Sequence, residues 1–179
     1  MPRLKSLDKS QASPGLQSVL ADLESKKMLL NLYRGMANSP AVLDGYLKFN
    51  GALREGKLDA KIRAAIALTV AHFNQCGYCL AAQTALGRDA GLDDAAIRGA
   101  RIGTCSDPKT AAAVNLARAV LRSHGRVSDA ETAAARDGGL NDGDIAEVVA
   151  NVVLSLFTNY FNNLNQTELD FPPVPLKIS

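Results

Sequence analysis

The sequence predicts an all-α protein, and three observations predict it. Alanine and leucine dominate, runs of β-branched residues are short, and apolar residues recur at helical rather than alternating spacing. With 179 residues of which 47% are hydrophobic, the chain can bury one real core, and stability requires neither disulfides nor a metal. Residues 1–13 are polar with Pro2, Ser and Lys, and read as a flexible N-terminal arm. The remainder, 14–179, reads as a single helical domain.

Each element follows from local signals. "PGLQSVLADLESKKMLLNLYRGMA" reads as one first helix, with Leu16, Val19, Leu20, Leu23, Leu29 and Leu30 marking one side. Pro40 stands at a first helical position after Ser39 as cap, and Gly56 closes the helix that follows. Asp59 can cap "AKIRAAIALTVAHF", whose nearly continuous apolar surface marks the centre of the core. "RDAGLDDAAI" at 88–97 recurs as "RDGGLNDGDI" at 136–145, each ending one helix at glycine and starting the next with Asp or Asn. These predict similar helical hairpins on either side of the long helix "PKTAAAVNLARAVLRSHG". The last helix, "DIAEVVANVVLSLFTNYFNNLNQTEL", is apolar for three turns and then rich in Asn and aromatics, a face suited to another subunit. Three prolines in "DFPPVPLKIS" make the tail from about 171 extended. The apolar faces of the last helix and of the 59–73 helix exceed what one small bundle hides, which predicts a homo-oligomer.

Composition excludes several classes. Twenty basic and eighteen acidic side chains, interspersed, give a net charge of +2, with no footprint for nucleic acid or anionic lipid. No apolar run approaches ~18 residues, so no membrane span is expected. The N-terminus lacks the apolar core of a signal peptide, so a cytoplasmic location is expected. Three cysteines, an odd number, argue against a disulfide framework. Cys105, alone in "GTCSDP", reads as a part-buried connector thiol.

The chemistry concentrates in "HFNQCGYCLAAQTALG", residues 72–87. Cys76 and Cys79 stand three apart at a predicted helix start, on one face, close enough for their sulfurs to join. With Asn74 as cap, both lie in the first turn and a half, where unpaired N–H groups favour thiolate over thiol. Gly77 lets a partner's backbone approach, and Tyr78 supplies an aromatic wall. Three readings fit: a redox dithiol, which leads; two small core cysteines; and, well behind, a zinc site, since His72, His124 and Cys105 do not fall in a ligand pattern.

"KLDAKIRAAIALTVAHFNQCGYCLAAQTALGRDAGL", with "FTNYFNNLNQTELDFP" near the end, resembles the carboxymuconolactone decarboxylase superfamily, and within it the alkylhydroperoxidase D-like branch that carries the dithiol. The resemblance spans about residues 40 to 173. It implies an all-helical bundle that assembles as trimers or hexamers and reduces hydroperoxides through a thiol–disulfide cycle. Carried over, Cys79 attacks the O–O bond and Cys76 resolves the sulfenic acid. An unknown thiol reductant resets the pair, and no cofactor or metal is implied.

Two positions depart from that pattern. Where the family has Glu, twelve residues before the first cysteine, stands Ala64, and where it has His, four after the second, stands Gln83. These form the family's proton relay, and positioned acid–base help is typically worth about 10²–10⁴-fold, so a slow enzyme is expected. Glutamine donates a hydrogen bond but cannot take a proton. His72, four before Cys76, shares its face if one helix runs through "HFNQC", and is the one neighbouring base that titrates near neutrality. Its simpler reading is a half-exposed histidine at a helix end. His124 beside Gly125, Glu55 and Arg63 read as surface groups. The competing expectation is a catalytically degenerate helical oligomer that binds a small molecule or partner. Lactone decarboxylation ranks last, for want of a His and acid constellation.

Overall fold

The structure, a computed structural model, describes residues 1–178. Among the described residues there are nine α-helices and no strand, in agreement with the all-α expectation. They are α1 (Pro14–Ser25), α2 (Asn31–Met36), α3 (Pro40–Arg54), α4 (Ala60–Phe73), α5 (Gly77–Asp89), α6 (Asp94–Ile102), α7 (Pro108–Ser123), α8 (Asp129–Asp137) and α9 (Asp142–Asn165). No described helix is long and apolar enough to cross a membrane.

Helix α4 is the axis of the molecule and packs against α5, α6, α7 and α9. Asp59 caps it as expected, accepting from the Ile62 N–H at 2.8 Å. Its residues divide between two cores. Ile62, Ile66 and Val70, spaced one turn apart, meet α7 and α9 in one cluster. Ala65, Leu68 and Ala71 face the other way, into a cluster shared with α1, α2 and α5. Both faces of α4 are therefore largely consumed within the chain, and the large apolar side chain it leaves exposed is Phe73, at its last position. Truncating a buried leucine such as Leu68 typically costs about 2–5 kcal/mol.

The predicted first helix is two helices. α1 stops at Ser25, because Lys27 takes a left-handed φ of 56° and the Met28 N–H donates back to the Leu23 carbonyl at 2.8 Å. This turn re-aims the chain so that Leu32, Tyr33 and Met36 on α2 enter the core beside Leu20 and Leu23. The first thirteen residues lie along the body. The Arg3 N–H donates to the Asn165 carbonyl, the Leu4 N–H to Asn165 Oδ1 and the Leu7 N–H to the Arg34 carbonyl. Leu7 and Ala12 pack on the core.

The repeated decapeptide folds alike in both copies. Gly91 and Gly139 adopt φ of +89° and +95°, values glycine accepts without steric cost. Asp93 caps α6 and Asn141 caps α9, and an Arg–Asp pair closes each corner: Arg88–Asp94 at 2.9 Å and Arg136–Asp142 at 2.8 Å.

Helix α9 reaches its neighbours with polar side chains from an otherwise apolar surface. Glu147 accepts from the Lys57 and Leu58 N–H groups at 2.8 and 2.9 Å, which fixes the entry to α4. Asn159, Asn162 and Asn165 are buried against the chain itself, so these asparagines form an internal seam. The face left open carries Val149, Val153, Phe157, Tyr160 and Leu164, a stripe at spacings of three and four residues.

The first turn of α9 holds a buried carboxylate. Asp144 completes a capping box with Asn141, and its side chain, 1% exposed, lies 3.0 Å from Lys109 Nζ. Burial alone would raise its pKa, but the Asn141 N–H and the hydrogen bond and charge of Lys109 outweigh burial and hold it below the usual range. A carboxylate depressed in this way contributes stability that is complete above its unfolded pKa of ~3.9 and disappears as pH falls through the lower folded value. Asp144→Ala should thus lose about 1–2 kcal/mol near neutrality. In denaturant melts, its deficit against the parent should shrink below about pH 4.

Candidate redox site

The dithiol sits on a helix-to-helix turn. α4 ends at Phe73, and Gln75 adopts a left-handed φ of 52°. The Cys76 N–H donates to the Ala71 carbonyl at 3.0 Å and the Gln75 N–H to the His72 carbonyl at 3.2 Å, the paired bonds of a Schellman turn. The chain then reverses into α5 with Cys76, not Asn74, as its N-cap. Asn74 was expected to cap α5 but is engaged elsewhere. Its Nδ2 donates to the Val70 carbonyl and to Asn159 Oδ1, and its carbonyl accepts from Asn163 Nδ2 at 3.1 Å.

Cys76 Sγ accepts the Cys79 backbone N–H at 3.2 Å, so one sulfur serves as the capping atom of the helix. The two Cα atoms are 5.2 Å apart and the sulfurs are joined as a disulfide, with no rearrangement of the turn required. Cys76 is fully buried and Cys79 is 4% exposed.

One contact escaped the sequence reading. Asn162 Nδ2 donates to Cys79 Sγ at 3.4 Å, while its Oδ1 is buried without a partner. The signal was present in "NYFNNLNQ": asparagines at 159, 162 and 165 interrupt an apolar helix at intervals of three, too regular for a solvated face. Only the fold says which of them meets sulfur.

The other candidates are dispersed. Tyr78 turns from the dithiol to the tail, where its hydroxyl donates to Asp170 Oδ2 at 2.6 Å, and the Asn31 N–H at the start of α2 donates to the same carboxylate at 2.9 Å. Burial foremost, then Asp170, raises the Tyr78 pKa well above that of a free phenol. His72 belongs to the last turn of α4, and the left-handed Gln75 separates it from α5, so the one-helix relation to Cys76 does not exist. Burial, Arg101 and Arg118 lower its pKa, and its Nδ1 is buried without a partner. Gln83 is half-buried on the Cys79 side of α5, one turn on, and Ala64 is buried in α4, against which α5 packs. His124 is an exposed left-handed residue at the end of α7, and Cys105 is half-buried in the α6–α7 connector, where burial and Asp107 raise its pKa. Among the described residues no three His, Cys, Asp or Glu side chains gather as metal ligands do.

Residues 40–123, which hold α3 to α7 and the dithiol turn, match the model of the carboxymuconolactone decarboxylase family. This stretch is similar to that family. No curated protein matches it. Among solved structures, a peroxidase-related protein with the alkylhydroperoxidase AhpD core from Ralstonia eutropha JMP134 superposes with a TM-score of 0.85 at 19% identity, over 94% of this chain and 92% of that one. A peroxidase-related protein from Silicibacter sp. TM1040 gives 0.76 at 21% identity, over 97% and 95%. The debrominase Bmp8, solved with 2,3,4-tribromopyrrole, gives 0.78 at 17% identity, over 95% and 92%. At these identities the likeness is one of fold, and that fold is AhpD-like.

The arrangement offers sulfur chemistry with hydrogen-bond donors and no adjacent base. A hydrogen bond to a charged acceptor stabilises it by about 1.5–3 kcal/mol. In the reduced protein, the Asn162 donor should favour the thiolate over the thiol at Cys79. Asn162→Ala should therefore move the pH midpoint of single-thiol alkylation upward in a Cys76→Ser background. An unchanged midpoint would reduce Asn162 to a packing residue.

Proposed function

We propose that the chain is a dithiol oxidoreductase that reduces hydroperoxides slowly. The observation that carries this is the Cys76–Cys79 disulfide at the start of α5, with a donor aimed at Cys79. The Cys79 thiolate attacks the distal peroxide oxygen, forming Cys79–SOH and an alkoxide that takes a proton from water. The Cys76 thiol then displaces hydroxide from the sulfenic acid, giving the disulfide and water. A thiol reductant attacks the Cys79 sulfur and expels Cys76 as thiolate, which the Cys79 N–H stabilises as leaving group, and a second reductant thiol then releases Cys79 from the mixed disulfide. We place this cycle in the cytoplasm, where thiol reductants are supplied.

Rate is limited by Ala64 and Gln83. Ala64→Glu and Gln83→His together should raise turnover by about 10²-fold or more, and each alone far less, because base and orienting carboxylate act as a unit. The comparison is hydroperoxide consumption by the double variant, the parent and Cys79→Ser. Cys76→Ser should accumulate a trappable sulfenic acid at Cys79. A parent equal to Cys79→Ser, with no gain in the folded double variant, would favour the second reading. That reading, a degenerate binding oligomer, rests on the replacement of both relay positions. Because the debrominase shares the fold, a brominated pyrrole belongs among the substrates tried.

We further propose that subunits pack on the α9 stripe as a trimer or hexamer. Tyr160 and Leu164, 61% and 57% exposed, are too apolar and too continuous with Val149, Val153 and Phe157 to stay in water. Light scattering should show an assembly at micromolar concentration, which Val153→Glu with Leu164→Glu dissociates. A monomeric parent would defeat the idea.

A further inference from the structure

A second site lies on the opposite side of α5 from the dithiol. Ala81, Thr84, Ala85 and Arg88 form one face of α5, spaced i, i+3, i+4 and i+7, and turn roughly away from Cys79 and Gln83. Asp94, Ile97, Arg98 and Arg101 repeat that spacing on α6. The two faces and the tail, from Pro172 to Ile178, enclose a cavity of about 510 Å³. Pockets for small organic ligands run roughly 300–1,000 Å³, so this one is of ligand size.

Its lining is mostly basic among the described residues. Arg88, Arg98, Arg101 and Lys177 line it, and the carboxylate among the described lining residues, Asp94, is paired with Arg88 at 2.9 Å. Arg101 is 7% exposed, and its Nη2 donates to two neutral groups, the Pro175 and Leu176 carbonyls, at 2.6 and 3.1 Å. Its Nε is buried with no hydrogen-bond partner, and so is Thr84 Oγ1. Burial, then the charge of Arg98, lowers the Arg101 pKa, which means that its cation is short of compensation. Native proteins seldom leave buried donors unmet, and a guanidinium least of all. Two unmet donors on lining side chains suit the two oxygens of a carboxylate better than a phosphate, which needs more. Ile97, Val174 and the tail prolines supply walls for an apolar body.

We propose that this cavity is a binding site for a small organic carboxylate with an apolar body, held by Arg101 and Thr84 beneath the C-terminal tail. The site is independent of the peroxide cycle, since its ligand meets the face of α5 turned away from Cys79. Binding also bears on the tail, because Arg101 holds the Pro175 and Leu176 carbonyls while Asp170, at the root of the tail, holds Tyr78.

The test is calorimetric titration of the full chain with benzoate as probe, benzamide as its neutral isostere and inorganic phosphate as the bare anion. Benzoate should saturate one site per chain with a dissociation constant of about 1 mM or tighter. Benzamide should bind at least about tenfold more weakly, and phosphate should fail to displace benzoate at equal concentration. Thr84→Val, which keeps shape and removes the hydroxyl, and Arg101→Lys, which keeps charge and removes Nε, should each weaken benzoate about tenfold. Cys79→Ser should leave its affinity unchanged, which separates this site from the dithiol. Equal binding of benzoate and benzamide, displacement by phosphate, or parental affinity in Thr84→Val would overturn the proposal. So would an absence of saturation at about 10 mM benzoate.

Discussion

The structure depends on one constraint: α4 is apolar on two sides and has to be wrapped. A helix with a single apolar stripe can lie on the surface of a bundle, but one with Ile66 on one side and Leu68 on the other cannot. α7 and α9 cover one side, and α5 and α6 close over the rest, with α1 and α2 joining the second cluster. The position of every other element follows from this sandwich. So does the position of the dithiol turn, which is where α4 leaves the core and the chain must reverse to cover it.

The reversal needs a sharp helix stop, and the chain makes it without glycine. Gln75 takes the left-handed conformation, at a cost of about 1 kcal/mol for a residue with a side chain. Asn74 offsets that cost by its bonds to Val70 and Asn159, and Asn163 holds the Asn74 carbonyl. One consequence is chemical. Because the stop falls immediately before Cys76, that cysteine becomes the cap of the next helix, and its sulfur accepts a backbone N–H. The same polar seam of α9 that secures the turn delivers Asn162 to Cys79. Structural support and electrostatic tuning of the dithiol therefore come from one helix face.

The C-terminal tail joins the two sites. Asp170 accepts from Tyr78, the residue before Cys79, and from the start of α2, while the carbonyls of Pro175 and Leu176 accept from Arg101. An extended, proline-rich segment suits this role, because it loses little conformational entropy on docking and exposes carbonyls sideways. The basic cavity thus shares with the dithiol both a wall, α5, and a strap.

Much of this was legible in the residues alone. Helical periodicity, Asp59 as a cap, the paired decapeptides and the spacing of Cys76 and Cys79 are local properties, written within one or two turns, and the structure reproduces each of them. The break between α1 and α2 was not legible, since Lys27 carries no glycine-like signal and its turn is maintained by the burial of Leu32 and Met36. Nor was the displacement of His72 from Cys76, which follows from a left-handed glutamine. By itself the sequence determined the helical class and a dithiol able to close on itself, because both depend on neighbours along the chain. The tertiary structure alone decided that α4 is hidden on both sides and that Asn162 meets Cys79. It also decided that Arg101 lies buried beneath the tail. In each case the partners come from distant segments, and only packing brings them within reach.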